Sequence, residues 1–136
     1  MKRLRFIIII LAILITVTII LIYREQPNGE NEMINGSNIS QALAKQIMDE
    51  NPDILIIDVR TTEEFNQGHI ENALSLSDEK VATQIQNIAP DKNQLILIYC
   101  RSGRRSQAAV RTMVNLGYTN VYNFGGIIDW QYGIVR

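Results

Sequence analysis

The 136-residue chain has one cysteine, one histidine, one tryptophan and three prolines. A single cysteine excludes a disulfide within the molecule. One Cys and one His also fall short of the clusters that hold a metal, and no metal or cofactor is expected. Neither sign of charge prevails, with 13 basic residues against 14 acidic ones. There is no internal repeat.

Long apolar runs are absent from residue 24 onward, but one occupies the N-terminal region. Phe6 to Tyr23 is uncharged and aliphatic, broken by Thr16 and Thr18. As a helix these residues span about 27 Å, close to the ~30 Å of a hydrocarbon core. The run lacks the small residues of a cleavage site and has no cysteine near its end for lipid attachment. It therefore reads as an uncleaved signal anchor over 6–23, behind a basic flank over 1–5 with Lys2, Arg3 and Arg5. The positive-inside rule puts the flank in the cytoplasm and the rest outside, as a single-pass protein of the cell membrane. Residues 24–38, with Pro27, Asn28-Gly29 and Asn35-Gly36-Ser37-Asn38, read as a flexible linker, and 39–136 as one domain. Without Lys2, Arg3 and Arg5 the chain holds 10 basic and 14 acidic residues, a net charge of −4. That balance argues against nucleic acid as a partner.

Within the domain, short apolar runs alternate with amphipathic stretches. Helices are predicted from Ser40 to Asn51, over Thr62–Asn66 behind Thr61 or Thr62, from Ser77 to Pro90, and from Ser106 to Gly117. Strands are predicted at Ile54–Ile57, Ala73–Leu76, Leu95–Tyr99 and Val121–Asn123, with a helical turn near Trp130. This alternation means an α/β fold, an open parallel sheet with helices on both faces. Ligands of such sheets bind beyond the carboxyl ends of the strands, where Asp58 and Cys100 both fall and can share a site.

Cys100 ends the most apolar strand and precedes Arg101-Ser102-Gly103-Arg104-Arg105-Ser106, where a helix begins. A thiolate there faces helix N–H groups and three arginines, which lower its pKa and make it a nucleophile. Arginines opening a helix meet the positive end of its dipole, which is unfavourable unless an anion joins them. A local positive site on an acidic domain points to a small anionic substrate.

The loop Cys100–Ser106 resembles the active-site loop of the rhodanese family, sulfurtransferases that carry sulfur on a cysteine as a persulfide. Ile57-Asp58-Val59-Arg60, Glu63-Glu64-Phe65 and Gly68-His69-Ile70-Glu71-Asn72-Ala73 look like the family's first signature. Leu116-Gly117-Tyr118, Val121, Gly125-Gly126 and Trp130 resemble its closing segment. Order and spacing agree from Ser40 to Trp130, nearly the whole domain. The resemblance implies a rhodanese-like fold and a persulfide on Cys100. Sulfur would come from thiosulfate or a related anion and pass to cyanide, sulfite, a thiol or a protein acceptor.

The residues fit that chemistry. Consecutive N–H groups of a loop entering a helix form an anion nest. Gly103 permits the positive φ that wraps the chain around sulfur. Arg101 and Arg105, ahead of Arg104, are expected to hold donor oxygens, with Ser102 and Gly103 completing the substrate loop. Asp58, Arg60 and Ser106 are expected to organise loops, and Glu64 to partner a nearby cation. His69 reads as structural, because persulfide chemistry needs no base. Trp130, Gly125 and Gly126 read as packing and tight turns.

Two other readings stand beside sulfur transfer. A phosphatase or arsenate reductase of related fold uses the same thiolate with an arginine clamp. Its loop has five residues between Cys and Arg; here four separate Cys100 from Arg105, and Ser106 stands where that arginine would be. A non-catalytic persulfide carrier or thiol sensor would keep the cysteine and act on a protein partner.

Overall fold

The structure, a computed structural model, describes residues 1–24 and 33–136. It consists of two units, Met1–Glu32 and Met33–Arg136. In the first, α1 (Lys2–Arg24) is a continuous helix whose stretch Arg3–Ile20, of mean hydropathy 2.5, is long and apolar enough to cross a membrane. Of the expected linker, residues 25–32 lie outside the described residues.

The second unit follows the order α2 (Gln41–Glu50), β1 (Leu55–Asp58), α3 (Thr62–Asn66), β2 (Ala73–Ser75), α4 (Asp78–Ile88), β3 (Ile96–Cys100), α5 (Arg104–Asn115) and β4 (Val121–Gly126). A 3-10 turn over Ile127–Asp129 follows. The four strands form one parallel sheet in the order β2-β1-β3-β4. Parallel neighbours need crossover connections, and α3, α4 and α5 supply them.

Local chemistry sets the helix ends. The Ser40 side chain accepts from Leu43 N–H and caps α2. Thr61 and Glu64 form a reciprocal capping box on α3. The sequence reading differs at α5. That helix starts at Arg104 behind Gly103, whose φ of +97° is left-handed, so Ser106 is inside the first turn and does not open it.

Side chains alternate across each strand, so β3 feeds two cores. Ile96, Ile98 and Cys100 join Ile57, Val59 and Val121 under Val81 and Ile85 of α4 and Val110 and Met113 of α5. Leu97 and Tyr99 join Ile56, Tyr122 and Phe124 under Ala44 and Ile47 of α2. Every residue of β3 is buried, as its apolar run requires.

The described end of the expected linker, residues 33–38, is not free chain. Asn35 donates to Tyr118 O at 2.9 Å and accepts from Val121 N–H at 2.9 Å. Gly36 N–H donates to Val121 O, and Asn38 bridges to Asn123. Met33 packs against the α2-side core. The folded unit thus begins at Met33, before the expected boundary at 39.

Candidate active site

β3 delivers Cys100 to the first turn of α5, on the core side of the sheet that α4 and α5 cover. The Gly103 N–H donates to the Cys100 Sγ at 3.1 Å, and the Ser106 Oγ lies 3.4 Å from it. Burial pushes the thiol pKa up. The Ser106 hydroxyl and the N–H groups of Ser106, Ser102 and Gly103 outweigh that, so the thiol is held below its ordinary value.

The loop is shaped by close approach to β4. A Cβ on Gly126 would stand 2.3 Å from Arg101 O and 2.6 Å from Ser102 Cα. Only glycine lets the strand end lie against the Cys100 loop so closely. The match of Ile98 to Asn123 and of Cys100 to Gly126 includes a bulge, which turns β4 under the loop. Gln41 of α2 donates to Gly126 O at 2.8 Å and fixes that turn from the other side.

The three arginines divide. The Arg105 guanidinium is held by the Glu64 carboxylate in a two-pronged pair at 2.7 and 2.8 Å. Hydrogen bonding to Arg105 holds the Glu64 carboxyl down at about 2, although partial burial opposes this. The Arg105 cation is stabilised in return, first by Glu64. Arg105, which interacts electrostatically with the thiol, is thus already paired with an anion. Arg101 and Arg104 are exposed and have no ion-pair partner among the described residues. Arg101 borders an open hollow with Arg60, Glu64, Gln67, Ile127 and Ile128. Among the described residues Arg105 is thus the loop arginine with a carboxylate partner, and Arg101 and Arg104 face solvent.

Asp58 and Cys100 end adjacent strands, and Asp58 is held by Arg60. Asp58 is fully buried and takes three contacts of 2.6–3.0 Å from the Arg60 side chain and one of 2.9 Å from Arg60 N–H. Arg60 continues to Gly68 O at 2.7 Å, and its guanidinium lies 5.9 Å from the Tyr99 ring. Tyr99 packs on the α2 side of the sheet and Cys100 on the other. The pair therefore organises the turn from β1 through α3 to Gly68, and Arg60 meets the cysteine loop at the hollow it lines with Arg101.

His69 is committed elsewhere. Its ring stacks on Phe65 with centroids 3.7 Å apart, and Nδ1 is 3.2 Å from Phe65 O. Its backbone bridges Val135. Trp130 packs on Phe124 and donates to Gly133 O at 2.9 Å. A second hollow, lined by Lys45, Met48, Ile70, Trp130 and Tyr132, lies on the α2 side, across the sheet from Cys100.

Sequence reasoning missed Asn123. It is buried in β4, and its Oδ1 accepts from Ser106 Oγ at 2.7 Å and from Gly125 N–H at 3.0 Å. Its Nδ2 donates to Asn38 Oδ1 at 2.8 Å and Gln107 Oε1 at 3.2 Å. The signal was available: an amide inside Val121–Phe124, a strand otherwise buried and apolar, needs partners for every polar atom.

Comparison with known proteins gives the same picture. Residues 40–132 match the family model of the rhodanese-like domain. The chain is 38% identical over 73 residues to the thiosulfate sulfurtransferase PspE of Escherichia coli, covering 54% of this chain and 70% of that protein. It is 38% identical over 98 residues to a sulfurtransferase of Allochromatium vinosum, covering 71% and 85%. A solved structure described as rhodanese with anions from E. coli superposes with a TM-score of 0.57 at 35% identity, covering 60% of this chain and 96% of that one. A tRNA uridine(34) hydroxylase of Photorhabdus laumondii is also similar, at 31% identity, but the chain spans only 29% of its length. With the family's pattern running through most of the folded unit, the chain belongs to the rhodanese-like domain family.

Proposed function

We propose that this protein is a sulfurtransferase that moves sulfane sulfur from thiosulfate or a similar anion to a thiophilic acceptor through a persulfide on Cys100. One observation carries the reading: the Cys100 sulfur lies at the start of α5, where loop and helix N–H groups hold its pKa down. The thiolate attacks the outer sulfur of thiosulfate, the S–S bond breaks, and sulfite leaves with the bonding pair. The persulfide anion then sits where amides and the helix dipole favour negative charge. A thiol, sulfite, cyanide or protein acceptor attacks the outer sulfur, and Cys100 leaves as a thiolate again. Exposed Arg101 and Arg104 draw the anionic donor to the loop.

The sulfurtransferase relatives at 38% identity support this reading. The phosphatase alternative is weakened by the Arg105–Glu64 pair, since an arginine of the loop already holds a carboxylate. A persulfide carrier would use the same loop with a protein partner. In our reading α1 tethers the protein to the cell membrane with its N-terminus cytoplasmic and Cys100 outside. The basic N-terminal flank and the length of the apolar run support that topology.

The test is mass spectrometry of purified protein after thiosulfate. A gain of one sulfur atom on Cys100, removed by cyanide with formation of thiocyanate, is expected. Turnover of an aryl phosphate without any sulfur adduct would overturn the proposal.

A further inference from the structure

The Ser106 hydroxyl has one proton and three acceptors. Asn123 Oδ1 is at 2.7 Å, Gly103 O at 3.0 Å and Cys100 Sγ at 3.4 Å. A hydroxyl donates to one of them at a time. The shortest contact goes to Asn123, not to the sulfur. Asn123 cannot turn away, because its Nδ2 is tied to Asn38 Oδ1 and Gln107 Oε1 while its Oδ1 also holds Gly125 N–H. Ser106 is fully buried, so water does not supply a substitute partner.

We propose that Asn123 is a positioning residue for the sulfur chemistry: it competes with the Cys100 sulfur for the Ser106 proton, and so makes that proton a two-position switch. With Cys100 protonated, the hydroxyl donates to Asn123. When the thiol loses its proton to solvent, the hydroxyl rotates to the anionic sulfur, and Asn123 Oδ1 retains Gly125 N–H. No covalent bond forms or breaks in the switch. The same rotation serves a persulfide anion, which links the inference to the sulfur-transfer reading above. The ionisation of the thiol can nevertheless be measured without that reaction.

The charged groups around the sulfur leave this hydroxyl a role of its own. Arg105 of α5 lies close to Cys100 and is neutralised by Glu64 of α3, with a weaker attraction from Asp78 of α4. Arg101 and Arg104 are exposed. The substitutions below alter none of these groups.

The experiment measures the pH midpoint of Cys100 alkylation by iodoacetamide in the full-length protein, with folding checked by thermal melting. Asn123→Leu keeps the branching and the heavy-atom count of the side chain and removes the competing acceptor. The midpoint should fall by about 0.5–1 unit, the value of one hydrogen bond, with Gly103 O still competing. A role limited to holding the loop predicts the opposite sign, because a loosened loop returns the thiol toward a free cysteine. In the Ser106→Ala background the same change should do nothing. A midpoint that stays or rises in folded N123L overturns the proposal. If N123L does not fold, Asn123→Asp decides. Its rise in midpoint should be larger with Ser106 than in the S106A background, and equal rises overturn the proposal. Failure of wild-type protein to take sulfur from thiosulfate would sink the proposed function while leaving these midpoints interpretable.

Discussion

Glu64 of α3 grips Arg105 of α5 through both carboxylate oxygens, at 2.7 and 2.8 Å, across 41 residues of sequence. The contact joins the capping box of α3 to the helix that follows the Cys100 loop. It also bears on the electrostatics around Cys100, since Arg105, which interacts with the thiol, is matched by a carboxylate.

Glu64→Gln should lower stability by about 1 kcal/mol at pH 7, or about 4–8 °C in Tm, since a half-exposed bidentate pair contributes modestly. The sign follows from the depressed carboxyl pKa. The pair's contribution is full above the ordinary value of 4.5 and is lost as pH falls through about 2. Thermal melts of the two proteins should converge as pH is lowered across that window. A Tm gap unchanged between pH 7 and pH 2 would mean the ion pair is not its source.

Cys100→Ser should abolish thiosulfate:cyanide sulfur transfer while the protein still folds. Serine fits the buried position with little loss of volume, and its hydroxyl can use the partners that the sulfur has now. It is far less nucleophilic at neutral pH. Steady-state thiocyanate formation, beside a melting curve, reads both halves. Substantial activity in the variant would place the chemistry elsewhere.

Much of this architecture was legible locally. The apolar run before Cys100 announced a strand buried on both faces, and Ser40 and Thr61 announced helix starts through hydrogen bonds to residues three positions on. What was not legible depends on distant partners. Asn35 and Asn38 look like linker residues by composition, yet their side chains complete hydrogen bonds with Val121 and Asn123. Arg105 looks like a free anion clamp until Glu64 is brought to it. Ser106 looks like an N-cap, but Gly103 ends the strand-to-helix turn with a positive φ, and that frees the serine hydroxyl for Asn123 and the sulfur.

Gly126→Ala should be among the most damaging single substitutions in the unit. Its Cβ would meet Arg101 O at 2.3 Å and Ser102 Cα at 2.6 Å, both in the backbone of the Cys100 loop. Neither can step aside as a flexible side chain does. We expect a loss of about 3 kcal/mol or more, which is over ~10 °C in Tm for a unit of this size. Any folded fraction should show a displaced loop and slow sulfur uptake. A variant with wild-type Tm would show that β4 and the loop separate easily.

The last expectation concerns place. α1 carries an uncharged apolar run over residues 6–23 behind Lys2, Arg3 and Arg5. A helix of that length matches the hydrocarbon core, and in the topology we propose the charge bias directs its N-terminus inward. The folded unit would then face an oxidising compartment, where a second cysteine could trap Cys100 as a disulfide; the chain has none. Protein expressed in a bacterial host should sediment with membranes and resist extraction by high salt, which removes electrostatically bound proteins but not a spanning helix. Protease added to intact spheroplasts should release the unit from Met33 onward. Protection from protease would reverse the orientation, and recovery of a soluble form lacking residues 6–23 would replace the anchor with a cleaved signal.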